Sequence, residues 1–199
     1  MLSKALIFIL AMAPFSTALA SAIDFRLGNK MAEVLYKSED ASFGYGGADI
    51  GLGLFLNERD DLLATGTILV SGSSDGDVKG LHFGVGAKIY AGILDFPSPI
   101  DNQSGAMLAI GMQVRYVLPG KMPVAILLEG FGAPDVTSAS DFKGVREIRL
   151  ALELEITPSA RAYIGYRTLE VELNNGLGNS NGNDHELDDR AHIGVRFSF

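Results

Sequence analysis

His192-Ile193-Gly194-Val195-Arg196-Phe197-Ser198-Phe199 is a strand with two unlike faces. Odd positions carry Ile, Val, Phe and Phe; even positions carry His, Gly, Arg and Ser. Alternation of period two sends one kind of side chain to each side of an extended chain. In water, a sheet buries such an apolar face under a second layer. Most other segments of this chain alternate in the same way, and no helix of adequate length remains to cover them. A sheet closed on itself, with lipid as the outer solvent, satisfies every backbone group. The expected fold is therefore all-β, an antiparallel transmembrane up-and-down β-barrel.

The same stretch carries a resemblance. Polar His192, Gly194, aromatic Phe197 and terminal Phe199 resemble the C-terminal signal read by the outer-membrane assembly machinery of Gram-negative bacteria. An aromatic-rich edge strand is a good template for strand addition. An ordinary last strand ending at an aromatic girdle has the same pattern, and both readings imply a barrel. The expected partners are outer-membrane lipid and that assembly machinery.

Composition narrows the class. The 199 residues suffice for one domain, with 24 Gly, no Cys and no Trp. A net charge of −8 argues against nucleic-acid binding, which calls for a basic patch. Lys4 followed by apolar 5–13, with small-x-small sites at Ala18-Leu19-Ala20 and Ala20-Ser21-Ala22, reads as a secretory signal peptide over 1–22. Pro14 interrupts the apolar run, which is too short for a membrane anchor. The barrel domain then covers 23–199, exported to the outer membrane.

From Gly47 onward the alternation is regular. Ile50, Leu52, Leu54 and Leu56 oppose Asp49, Gly51, Gly53 and Phe55; Phe83, Val85, Ala87 and Ile89 oppose His82, Gly84, Gly86 and Lys88. The most regular segment sets Ile148, Leu150, Leu152, Leu154 and Ile156 against Glu147, Arg149, Ala151, Glu153 and Glu155. One segment breaks the rule. If Leu169, Val171 and Leu173 face lipid, with Glu170 and Glu172 inside, the same parity puts Arg167 in lipid. A bulge near Arg167-Thr168 that resets the parity, or a place for Arg167 at the interface, resolves the conflict.

Connections counted back from Phe199 alternate long and short: long at 174–189, 134–143 and 97–104, short at 157–160 and 118–121. Barrels of this class put tight turns in the periplasm and long loops outside. Eight strands result. Residues 23–40 form either a short hairpin beside the barrel or two more wall strands, raising the count to ten.

The inward faces collect charges of both signs: Asp49, Glu129, Glu147, Glu153, Glu155, Glu170 and Glu172 against Lys88, Arg115, Arg149 and Arg196, with Arg161 and Arg167 added. Side chains fill the interior of a narrow barrel, and buried charges there must pair. A lumen plugged by ion pairs is the expectation, and a narrow charged pore, favoured by ten strands, is the alternative. His82 and His192 join the polar network. His185, in the acidic run 184–189, reads as part of a solvated loop, with a divalent-cation site as the sharper alternative. Ser138, Ser140, Asp141 and His185 have the composition of a rim hydrolase but no nucleophile motif, so no enzyme, cofactor or metal is expected.

Further stretches carry a wider resemblance: 57–63 (NERDDLL), 84–91 (GVGAKIYA), 113–116 (QVRY), 128–130 (LEG), 133–135 (APD), 152–154 (LEL), 157–163 (TPSARAY) and 165–167 (GYR). With these the chain resembles the YfaZ family of outer-membrane proteins over most of its mature length. The resemblance implies an outer-membrane barrel, described in that family as an outer-membrane protein or porin. It implies no substrate and no catalytic residue.

Overall fold

A computed structural model describes residues 20–40, 47–73, 80–96, 101–120, 123–174 and 184–199. Of the expected signal peptide, residues 1–19 lie outside the described residues, as do 97–100, 121 and 175–183 of the expected connections. The described strands are β1 (Ala20–Gly28), β2 (Met31–Asp40), β3 (Ala48–Asn57), β4 (Leu62–Ser73), β5 (Leu81–Leu94) and β6 (Gln103–Val117). They continue with β7 (Val124–Ala133), short β8 (Ser138–Ser140), β9 (Phe142–Thr157), β10 (Ala160–Leu173) and β11 (Asp184–Ser198).

Every neighbouring pair is antiparallel, and the sheet closes. β1 pairs with β11 from Ala22↔Ser198 to Gly28↔His192, and β5 pairs with β6 from Leu81↔Tyr116 to Leu94↔Gln103. The wall has ten strands, β8 being a short flap on the start of β6. The count of eight is corrected: 23–40 is a wall hairpin. Asp24 and Arg26 alternate with Phe25 and Leu27 as wall residues must, and Met31, Glu33 and Leu35 repeat the pattern with apolar partners inside. Backbone bonds between Ser21 and Phe199 run both ways at the seam. Processing after Ala20 preserves them; processing after Ala22 removes them.

The outer surface is an apolar belt. Ile110 is 69% exposed and Val85 61%, in company with Leu52, Ile68, Phe83, Leu128, Leu150, Ile164 and Ile193. A water-facing protein does not sustain so continuous an apolar surface, whereas acyl chains solvate it. Strands of 10 to 16 residues in most of the wall are long enough to cross tilted.

Three of the expected long connections are shorter than expected. The run 184–189 is the start of β11 and not a loop, β6 begins at Gln103 within the expected 97–104, and the expected 134–143 carries β8 and the start of β9. β10 keeps one parity throughout: Tyr163, Arg167, Leu169, Val171 and Leu173 all point inward. The expected reset at Arg167-Thr168 is corrected. The irregularities lie on the flanking strands, where Leu169 pairs with Asp188 but Glu170 with Glu186, and Glu172 with Gly144 but Leu173 with Phe142. Each skips a residue, Leu187 on β11 and Lys143 on β9, and a third shift at the other end, Ala160 with Thr157 but Arg161 with Glu155, skips Ile156 on β9.

Candidate functional site in the barrel lumen

Call the end bearing Ala20 and Phe199 the terminal end, and the other the loop end. Toward the loop end the lumen is filled by apolar side chains. Met31, Phe55, Leu63, Leu94, Met107, Phe131, Phe142, Leu169, Leu173 and Leu187 form one buried cluster. This plug draws on every wall strand after β1. It explains β10: Leu169, Val171 and Leu173 face the plug, not lipid.

Below the plug lies a belt of ion pairs. Glu147 accepts hydrogen bonds from Lys88 Nζ, at 2.6 Å, and from the Tyr90 hydroxyl. Arg167 Nη1 stands 3.8 Å from Glu147 and donates to Glu33 at 2.7 Å; Arg167 Nε donates to Asp188 at 3.0 Å. Arg26 Nη1 donates to the same Glu33 oxygen at 3.0 Å and Arg26 Nε to the Tyr163 hydroxyl at 3.2 Å, and Tyr163 donates to Asp24. Arg196 donates to Asp24 at 2.9 Å and lies 3.7 Å from Glu153, which accepts from Arg115 Nε at 2.9 Å. The chain of contacts crosses the whole lumen. Charges this buried are tolerable only when paired.

The expected network residues therefore divide. Lys88, Arg115, Glu147, Glu153 and Arg196 lie in this belt. Glu129 and Arg149 face each other in register but stand 3.9 Å apart. Asp49 lies half-buried on the inner face of β3, and Glu155 meets Arg161 at 3.4 Å toward the terminal end. Glu170 and Glu172 are corrected: they point outward, and Glu172 accepts at 2.7 Å from Lys143, the residue skipped on β9. Of the C-terminal stretch, His192 and Gly194 face the lumen, Phe197 and Phe199 the exterior. Gly194 lies under Tyr163, so its lack of a side chain lets that ring reach Asp24 and Arg26.

Asp24, Arg26, Glu33, Tyr90, Tyr163 and Asp188 were not legible as network members. For Asp24 and Arg26 the local alternation was the available signal. For Glu33 the signal was weak, because its inward neighbours Met31 and Leu35 are apolar.

At the loop-end rim, Asn57 shapes the β3–β4 turn by accepting from the Arg59 and Asp61 backbone N–H groups at 3.0 and 3.1 Å. Buried Asp61 accepts from Asn57 Nδ2 at 2.8 Å and from the Asp95 N–H at 2.9 Å, and His185 Nε2 lies 3.1 Å from it. The His185 ring rests against Phe96. Burial pushes the Asp61 carboxyl up, but hydrogen bonds from His185, Asn57 and Asp95 outweigh it and hold it below its ordinary value. His185 is thus a latch between turns. Ser138 Oγ donates to the Pro134 carbonyl, and Asp141 accepts from the Ser104 N–H. These contacts assemble no nucleophile–base pair. Among the described residues, no cluster of metal-ligand type is present.

A closed antiparallel wall with an apolar exterior and a filled, charge-paired interior defines an outer-membrane-type β-barrel. The family model described as YfaZ precursor matches residues 18–199, and the chain belongs to that family. No curated protein matches it. A crystal structure of the outer membrane channel DcaP of Acinetobacter baumannii is similar at 10% identity with a TM-score of 0.39, covering 94% of this chain and 66% of that one. The chain thus spans just under two thirds of that channel's length.

Proposed function

We propose that the protein resides in the bacterial outer membrane as a closed, non-conducting barrel, a structural and interaction element whose loop end meets the cell exterior. One observation carries this reading: apolar plug and ion-pair belt are stacked in the same lumen. A hydrated ion crossing it meets side chains such as Leu63, Leu94, Leu173 and Arg167 that are almost wholly buried. A porin-like pore for ions or small solutes is the competing role, and ten strands alone leave width for it. Here that width is occupied. In this reading the terminal end is periplasmic, β11 is the strand the assembly machinery engages, and the barrel has no catalytic role.

Planar-bilayer recording of the purified full-length barrel tests it. The expected record is a flat baseline across the voltage range. Steady unitary currents that scale with salt would reject the closed lumen in favour of the pore.

A further inference from the structure

Arg149 projects from β9 into the middle of the lumen and is 0% exposed. Its Nε, Nη1 and Nη2 have no hydrogen-bond partner among the described residues. The carboxylate opposite, on Glu129, is 3.9 Å away, beyond hydrogen-bond length. The other buried arginines are engaged: Arg26 with Glu33, Arg167 with Glu33 and Asp188, Arg196 with Asp24. A guanidinium has five N–H donors in one plane and cannot shed its charge. So Arg149, with its charge faced only by a carboxylate at 3.9 Å, presents a full set of donors with no acceptor in hydrogen-bond reach among the described residues.

A second group without a hydrogen-bond partner projects into the same lumen from two strands away. His192 is 3% exposed, and neither ring nitrogen has a partner among the described residues. An imidazole always keeps at least one N–H. Its ring leans across Gly165, where a Cβ would sit 2.7 Å from Nε2. Gly165 pairs with Ala151, which follows Arg149 by two on the same inner face. Between imidazole and guanidinium, then, the wall carries a hydrogen and a methyl. Tyr163 closes one side, its ring centre 5.2 Å from the guanidinium carbon and 6.1 Å from the His192 ring. Leu127, Ala151 and Tyr163 make an apolar floor. The register adds a third observation. Arg149, Arg167 and Arg190 stand side by side across β9, β10 and β11, so the in-register neighbour of Arg149 on β10 is a like charge, one whose own carboxylates, Glu33 and Asp188, are already engaged.

We propose that Arg149 and His192 bind one small monovalent inorganic anion of the chloride class inside the barrel. The guanidinium is the main donor and the imidazole N–H the second. Glu129, 3.9 Å from the guanidinium, limits the charge: a single negative unit is tolerated beside it, and a dianion such as sulfate is repelled. Gly165 and Ala151 keep the wall between the two donors free of larger side chains, and Gly165 is what lets the His192 ring lie there.

The test uses bromide, which scatters anomalously. Crystals of the full-length barrel grown in gluconate are soaked in sodium bromide. In parallel, the thermal midpoint in detergent is followed as bromide replaces gluconate at constant ionic strength. The expected results are an anomalous peak touching Arg149 and a saturable rise of the midpoint. Arg149→Met should abolish the peak, and His192→Ala should weaken the apparent affinity about tenfold, the equivalent of one good hydrogen bond to a charged group. The wild-type soak needs no variant to fold. Bromide found only on the exterior, an adventitious ion only, or a midpoint indifferent to bromide, overturns the site.

Discussion

Asp61 shows what one buried carboxylate does at the loop-end rim. It draws together the β3–β4 turn, the backbone after β5 and the first residues of β11 through Asn57, Asp95 and His185. Its folded pKa lies below the ordinary value. The latch therefore contributes fully above the unfolded carboxylate pKa of about 4, and the contribution is lost as pH falls through the folded value. Asp61→Asn should flatten the acid side of a plot of thermal midpoint against pH; equal acid slopes in the two proteins would count against the latch. Glu33 is a second such residue, one oxygen shared by Arg26 and Arg167. Glu33→Gln keeps the shape and leaves two buried guanidinium groups short of a counter-charge. It should cost about 3–5 kcal/mol in urea unfolding from lipid vesicles, and a loss under about 1 kcal/mol would show that the belt tolerates the deficit. Neither role was readable from sequence. Asp61 sits in a charged run that resembles any solvated turn, and Glu33 sits between apolar neighbours.

At the level of the strand, alternation proved sufficient where both faces keep one character from end to end. β9 is the clearest case, Ile148, Leu150 and Leu152 outside and Glu147, Arg149 and Glu153 inside. It failed in β10, where the lumen itself changes character. Leu169, Val171 and Leu173 match the lipid-facing pattern, yet they pack into the apolar plug, while Glu170 and Glu172 emerge near the rim. Polarity marks the face only while each side keeps one solvent, and near the loop end the two sides exchange. Single cysteines test the assignment. In intact cells, cysteine at Glu170 or Glu172 should react with a membrane-impermeant maleimide, and cysteine at Leu169 or Val171 should not. The reverse pattern would restore the parity break inside β10. Leu173→Ala should cost about 2–5 kcal/mol, as a cavity in a packed core does.

At the scale of the whole molecule, closure depends on the N-terminal hairpin. β1 supplies the seam with β11, and Asp24, Arg26 and Glu33 answer Arg196, Tyr163 and Arg167 across the lumen. Deleting 21–40 behind the signal segment should abolish the compact, heat-modifiable band on gel electrophoresis; a compact band from the shortened chain would mean that eight strands close without the hairpin. The chain by itself determined the fold class, the lipid-facing stripe of most strands and the need for internal charge pairing. Those follow from period-two patterning and from the cost of bare backbone and lone charges in an apolar medium, which are local properties. The strand count, the plug, the residues skipped on β9 and β11, and the choice of partner for each charge were decided only in three dimensions. They depend on which strands become neighbours when the sheet closes, and on what fills the bore at each depth.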